Sequence, residues 1–143
     1  MQHETERSLL TLGAAAQTTA TSTVDGAAID MSGFDGVVIF CTIGTANAGN
    51  FLKAQGGQQS NLSDAADLAG TKVTIDSNAD LAILDVAKPK EQYIRGNIVR
   101  AGATTITGEM YYLRYNGSSQ AVVNDILNTQ NLVKVISPAE GTP

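Results

Sequence analysis

The stretch DGVVIFCTIG, Asp35 to Gly44, is the most hydrophobic run in this chain and contains its only cysteine. Successive side chains of a β-strand point to opposite faces, and here both faces are apolar. One face carries Val37, Ile39, Cys41 and Ile43, and the other carries Val38 and Phe40. This pattern predicts a central strand with one face in the core of a β-sandwich. The second face then needs cover from a long loop, from the N-terminal segment or from a neighbouring subunit.

Cys41 lies in the middle of this predicted strand, among Val, Ile and Phe side chains. A thiol in such surroundings behaves as a small hydrophobic group with a raised pKa. The only histidine, His3, lies near the N-terminus, so we do not expect it to form a catalytic pair with Cys41. We predict that Cys41 packs in the core and has no chemical role.

The remaining sequence favours short strands separated by Gly, Asn and Asp turns, with no repeating βαβ pattern. This spacing predicts an all-β fold, an antiparallel β-sandwich of around eight strands. We expect FLKAQG to form a hairpin with the opening run, and QYIRGNIVRA to pair with TTITGEMYYLRYN. The other predicted strands are the second half of Thr11–Val24, AAIDM, TKVTID and LAILDV around the turn SNAD, and NLVKVIS.

Helix signals are few, and we expect one short helix or at most two. Residues Ser60–Ala69 are the best candidate, because Ser63 could cap a helix and Asp64 and Asp67 fall early in it. A surface loop with one turn of helix would explain the same residues. The segment SQAVVNDILNTQN has apolar residues at helical spacing, but a loop would explain it equally well. We predict a single domain over residues 1–143, with a flexible N-terminal arm at 1–12 and an extended C-terminal tail at 138–143.

Composition excludes several classes of protein. A net charge of −5 argues against a general nucleic-acid binder, which needs clustered Lys and Arg. One cysteine excludes an intrachain disulfide framework, and no segment has the roughly 20 apolar residues that a membrane span needs. No secretory signal is recognisable, so synthesis in the cytoplasm is the default expectation. Only 16% of residues are charged and no Trp is present, which favours a thin core and assembly with other chains.

One segment has a pattern that could bind a metal ion. DSNAD places Asp76, Asn78 and Asp80 at alternate positions, as at the start of a calcium loop. Leu81, however, stands where such a loop needs Gly, and Ala87 stands in place of the bidentate Glu. We therefore interpret the segment as a polar turn, and we expect no metal, no cofactor and no catalytic residue.

The most suggestive cluster is EMYYLRY, Glu109 to Tyr115, read together with YIRGNIVR. Protein interfaces are enriched in Tyr and Arg, and we expect the two segments to be neighbouring strands. Ordinary cross-strand packing of Tyr and Arg is the alternative explanation. The candidate interface residues are Arg95, Arg100, Tyr111, Tyr112 and Arg114.

Four phrases, DMSGFDGVV, ADLAGT, KPKEQYIR and SPAEGT, occur in this order between about Val24 and Thr142. In this order the chain resembles a family of small proteins encoded beside the major capsid protein in tailed bacteriophages. Members are described as head decoration, cement or stabilisation proteins. The segment after Tyr115 departs from the family, because it lacks a basic, Pro-containing stretch.

The resemblance implies a structural virion protein and not an enzyme. Its fold would be a β-sandwich, often jelly-roll-like, and its partners would be the major capsid protein and other copies of itself in a dimer or trimer. It would bind the outer surface of the capsid and stabilise contacts between capsomers, with no nucleic acid or membrane partner. Its location would be the capsid exterior, after synthesis in the host bacterial cytoplasm. The alternatives are a tail or neck component and a carbohydrate- or receptor-binding β-sandwich.

Overall fold

A computed structural model describes residues 8–116 and 130–143, and these residues form two β-sheets packed face to face. In chain order the strands are β1 (Ser8–Ala14), β2 (Val24–Asp25), β3 (Ile29–Asp30), β4 (Gly36–Thr45), β5 (Phe51–Gly57), β6 (Ala66–Asp67), β7 (Val73–Thr74), β8 (Leu81–Ala87), β9 (Tyr93–Val99), β10 (Ile106–Tyr115) and β11 (Gln130–Ile136).

The five strands of sheet A are arranged in the order β1-β10-β4-β8-β11. All of its neighbours are antiparallel except β8 and β11, which run parallel. Sheet B has the order β2-β9-β5-β6, with β3 also on β9 and β7 also on β5, and all of its pairs are antiparallel. The predicted all-β sandwich is confirmed, whereas this strand order does not confirm a jelly-roll connectivity.

The opening run forms β4, the central strand of sheet A, as predicted. Its inward set packs between the sheets, with Val37, Ile39, Cys41 and Ile43 each at most 1% exposed. Sheet B contributes Leu52, Ile94 and Ile98, which are fully buried opposite them. The two sheets thus share one apolar core, which is the expected result of strands with an alternating pattern.

The predicted hairpins are wrong. β4 and β10 belong to sheet A, whereas β5 and β9 belong to sheet B, so each predicted pair is split between the sheets. The two crossing loops are bonded to each other through Asn50, which is fully buried. Its side-chain amide donates to Thr105 Oγ1 at 3.1 Å, and its Oδ1 accepts the backbone N–H of Ala101 at 2.7 Å. These bonds satisfy polar groups at the turn from one sheet to the other.

The N-terminal region also differs from the expectation. The edge strand is Ser8–Ala14 and not the second half of Thr11–Val24. Residues 8–12 of the predicted flexible arm therefore belong to sheet A, while residues 1–7 lie outside the described residues. Residues 18–23 form a loop, and Arg100 binds it through the backbone oxygens of Thr18 and Ser22.

The helix predicted over Ser60–Ala69 is wrong, because this segment consists of turns and β6. Ala66 and Asp67 pair with Gly56 and Gln55 of β5, so their backbone is in a β-sheet rather than a helix. Leu62 has a positive φ of 52°, which a residue of a right-handed helix does not adopt. The second candidate, SQAVVNDILNTQN, lies outside the described residues except for the start of β11. Among the residues described here, none forms a helix long and apolar enough to cross a membrane.

The C-terminal tail is extended, and its backbone is bonded to sheet B rather than free. The backbone N–H of Ala69 donates to Ala139 O at 2.6 Å, and that of Gly70 donates to Thr142 O at 3.0 Å. In return, the N–H of Gly141 donates to Asp67 O at 2.7 Å. The tail therefore continues the β-sheet beyond β6.

Candidate functional site

Arg95 lies on the outer face of sheet B, within a polar network. Its Nε and Nη2 donate to Gln55 Oε1 at 2.9 and 2.7 Å, and the Gln55 amide in turn donates to Asp67 Oδ1. Lys53 Nζ forms an ion pair with the same carboxylate at 2.6 Å. Burial raises the pKa of Asp67, but the hydrogen bonds from Lys53 and Gln55 outweigh this and hold it below 3.8. The centre of this face is therefore charged and internally paired.

Two of the predicted interface residues are buried and cannot contact a partner in this fold. Arg100 is 6% exposed and its guanidinium is occupied by the loop at Thr18 and Ser22. Tyr112 is fully buried, and its hydroxyl accepts the backbone N–H of Gly96 at 2.9 Å. Both residues tie one part of the sandwich to another, so their role is structural.

Arg114 lies at the end of β10 on the inward side, where the core opens. Its Nη1 donates to the backbone oxygen of Asp30 at 2.8 Å, and its guanidinium lies 4.8 Å from the centre of the Phe34 ring. These contacts with β3 and the following turn occupy much of the side chain. Arg114 therefore fixes the turn between β3 and β4 and is at most a marginal interface residue.

Tyr111 is on the outer face of sheet A, on the opposite side of the sandwich from Arg95. Its ring stacks on Phe40 with a centroid distance of 5.6 Å, and its hydroxyl donates to the Glu109 carboxylate. The five candidates therefore do not form one cluster. They divide between two outer faces and the core, because β9 and β10 lie in different sheets.

The structure reveals instead an apolar outer surface on sheet A. Two cross-strand rows run over β1, β10, β4 and β8, and most of their side chains are apolar. Leu10 and Leu12 are 59% and 51% exposed, and the remaining members are half-buried. We call this surface the outer apolar face; it consists of Leu10, Leu12, Val38, Phe40, Ile83, Tyr111 and Leu113.

The outer apolar face includes the second side of the opening run, Val38 and Phe40. Tyr111 stacks on Phe40, and Leu113 lies beside Val38, so side chains of the neighbouring strand β10 shield part of these two residues from solvent. The alternation in SLLTL, residues 8–12, could have indicated the exposed part, since Leu10 and Leu12 fall on one face of a strand. The position of these residues at the start of the chain, next to the polar residues 1–7, instead favours the prediction of a flexible arm.

The residues that the sequence singled out for possible chemistry have packing or turn contacts in the structure. Cys41 is 1% exposed, and burial raises the pKa of its thiol to about 12, which confirms the predicted packing role. In the DSNAD segment, Asn78 Oδ1 accepts the backbone N–H of Ala46, and Asp80 Oδ2 accepts that of Ser77. Within residues 8–116 and 130–143, no group of three His, Cys, Asp or Glu side chains could hold a metal ion.

An open cleft of about 400 Å³ lies between residues 31–35 and residues 88–92. Its lining combines Lys88, Lys90 and Glu91 with Met31 and Phe34. Phe34 is the one aromatic residue among the described residues that line the cleft, and the Arg114 guanidinium already lies against its ring. A single aromatic ring gives little support to a carbohydrate site.

Comparison with protein-family models, with curated proteins and with solved structures found no match.

Proposed function

We propose that this chain is a structural protein of a bacteriophage particle that binds the outer surface of the capsid and stabilises contacts between capsomers. The proposal combines the sequence resemblance with one observation, the outer apolar face of sheet A. Its partner would be the major capsid protein, and the bound protein would lie on the exterior of the virion. No enzymatic step is part of the proposal.

The contrast between the two outer faces supports a docking role for sheet A. The centre of the outer face of sheet B is polar, and its Lys53, Gln55, Asp67 and Arg95 side chains satisfy one another. On sheet A, by contrast, leucine side chains are more than half exposed at Leu10 and Leu12. A contiguous exposed apolar patch on a small protein marks a site of interaction with another macromolecule. Sheet A is therefore the side expected to face the capsid.

A modest patch is sufficient for a protein that binds a lattice. Many copies engage identical sites on one particle, and linked contacts raise the overall avidity above that of a single contact. A chain with a thin core and few charges also gains stability when it binds, because a partner that binds only the folded state shifts the folding equilibrium.

The test is binding of the isolated protein to capsids that lack it, with Leu12→Lys and Arg95→Glu as a matched pair. Leu12→Lys adds a positive charge to the outer face of sheet A, whereas Arg95→Glu reverses a charge on the outer face of sheet B. Leu12→Lys should weaken binding by about tenfold or more, equivalent to about 1.4 kcal/mol. Arg95→Glu should bind as the unaltered protein does. Bound copies per capsid, and the temperature at which capsids break, are the measurements.

The outcomes separate the alternatives. Loss of binding in Arg95→Glu alone would move the docking surface to sheet B. Absence of saturable capsid binding by the unaltered protein would overturn the proposed function. Formation of rings or tubes without capsids would support a tail or neck component instead. Binding of glycans by the isolated domain would support a carbohydrate-binding β-sandwich.

A further inference from the structure

Strand β1 forms one edge of sheet A in the part of the chain that the structure describes. It pairs with β10 from Ser8 to Ala14, with a bulge between Leu12 and Ala14. Beyond the bulge the edge is closed, because Gly13 O accepts the backbone N–H of Ala27 at 2.8 Å. Among the described residues, no strand lies on the open side of Leu9–Leu12.

This edge lacks most of the features by which proteins prevent strand-to-strand association. Such features are charged side chains, prolines, very short strands and β-bulges. The sequence of β1, SLLTLGA, has no charge and no proline, and its bulge is confined to one end. Leu9, Leu10 and Leu12 are 46%, 59% and 51% exposed, so leucines project on both sides of the edge. An edge of this kind is a template for another strand.

We propose that the occupant of this edge is β1 of a second copy of the chain, paired antiparallel about a two-fold axis. A two-fold axis between two copies makes identical strands antiparallel, so each donor meets an acceptor of the same sequence. The five-stranded sheets A of the two copies then form one continuous sheet. Leu10 and Leu12 of each copy lie beside their counterparts, and the outer apolar face becomes continuous across the axis.

The absence of charge on β1 allows a second copy of this acidic chain to approach the edge. The protein has a net charge of −5, so two copies repel each other in most orientations. Residues 8–14 are all uncharged, so an antiparallel pair of these strands places no like charges opposite each other. The inference does not depend on the proposed function, since the pairing forms in the isolated protein without a capsid.

The experiment measures molar mass by light scattering across a dilution series, with Leu10→Lys and Ile136→Lys as matched variants. Ile136 lies on β11, the opposite edge strand of sheet A, and is 74% exposed. The unaltered protein and Ile136→Lys should pass from 14.9 kDa to twice that mass as concentration rises. Leu10→Lys should raise the dissociation constant of the dimer at least about tenfold, because it places two ammonium groups near the axis.

Amide exchange of the unaltered protein provides a second measurement that needs no variant. Exchange of the backbone amides of Leu9–Leu12 should slow as the protein concentration rises. Exchange at Gly33 and Gly70, which lie in turns away from β1, should not change with concentration. A mass of one chain at every concentration, or a trimer, would overturn the proposal, since a two-fold pairing yields only dimers. A dimer that Leu10→Lys leaves unchanged, with no slowing of exchange in β1, would equally overturn it.

Discussion

Tyr112 is the residue that joins the two sheets most directly. It projects inward from β10, is fully buried, and accepts the backbone N–H of Gly96 in β9. Gly13 and Gly26 allow this position: a Cβ on Gly13 would lie 2.7 Å from the ring, and one on Gly26 would overlap the hydroxyl oxygen. The two glycines therefore serve close packing around one aromatic side chain.

Tyr112→Phe should lower the free energy of unfolding by about 1–3 kcal/mol, because the N–H of Gly96 is left without a partner in the core. Chemical denaturation of the purified domain measures the change. Tyr111→Phe is the matched control, since that hydroxyl lies on an outer face beside Glu109, and its effect should stay within about 0.5 kcal/mol. Equal effects of the two variants would contradict the assigned role of Tyr112.

At the scale of elements, the alternation of apolar and polar residues predicted where the main strands lie but not which strands pair with each other. β9 and β10 lie within segments predicted to be strands, and β4, β5, β8 and β11 each extend one residue beyond theirs. Alternation reports which side chains share a face, and it contains no information about which strand lies alongside. The loops at Asn50 and Thr105, which connect one sheet to the other, are nearly as short as hairpin loops. Such short loops predict that β4 pairs with β5 and that β9 pairs with β10.

The candidate site was predictable only in part, for a related reason. Alternation puts Tyr111 and Tyr112 on opposite faces of one strand, but Arg95 and Arg100 belong to the predicted cluster only if β9 lies beside β10. Arg100 and Tyr112 have polar ends that a sequence pattern does not distinguish from exposed ones. Their burial depends on acceptors or donors in distant segments, at Ser22 and Gly96.

The tail offers a test at the element scale. Truncation after Ser137 removes three backbone hydrogen bonds to residues 67–70 and the buried Pro138, so the free energy of unfolding should fall by about 1–3 kcal/mol. Amide exchange at Ala69 and Gly70 should accelerate, because their acceptors are lost. Removal of Pro143 alone keeps all three bonds and is the control. Unchanged exchange at Gly70 in the longer truncation would contradict the observed pairing.

The whole molecule buries several groups that must remain protonated. Burial raises the pKa of Cys41 from 9.0 to about 12 and that of Tyr112 from 10.0 to about 12. Burial and the hydrogen bond to Asp85 also raise the pKa of Tyr115. In the unfolded chain these groups lose their protons at lower pH than in the folded protein. The folded protein therefore binds more protons than the unfolded chain at alkaline pH, so the free energy of unfolding should fall as the pH rises.

The free energy of unfolding should therefore be constant with respect to these groups below about pH 9 and fall as pH rises above it. Each ionising group contributes about 1.4 kcal/mol per pH unit until its folded pKa is reached. In the unfolded chain Cys41 loses its proton first, at about pH 9, and the tyrosines lose theirs above about pH 10. Denaturation at a series of pH values measures the slope, and Cys41→Ala should delay the onset by about one pH unit. A flat profile from pH 8.5 to 11 would refute this coupling.

The parallel pair of β8 and β11 also bears on how fast the two sheets can form. Residues 130–136 pair with β8, and residues 139–142 bond to residues 67–70 at the other sheet, so both contacts join segments that are far apart in the chain. Contacts of this kind require the closure of long loops, which slows folding. The same short stretch of chain completes pairings on both sheets, so we expect these pairings to form together and late in folding.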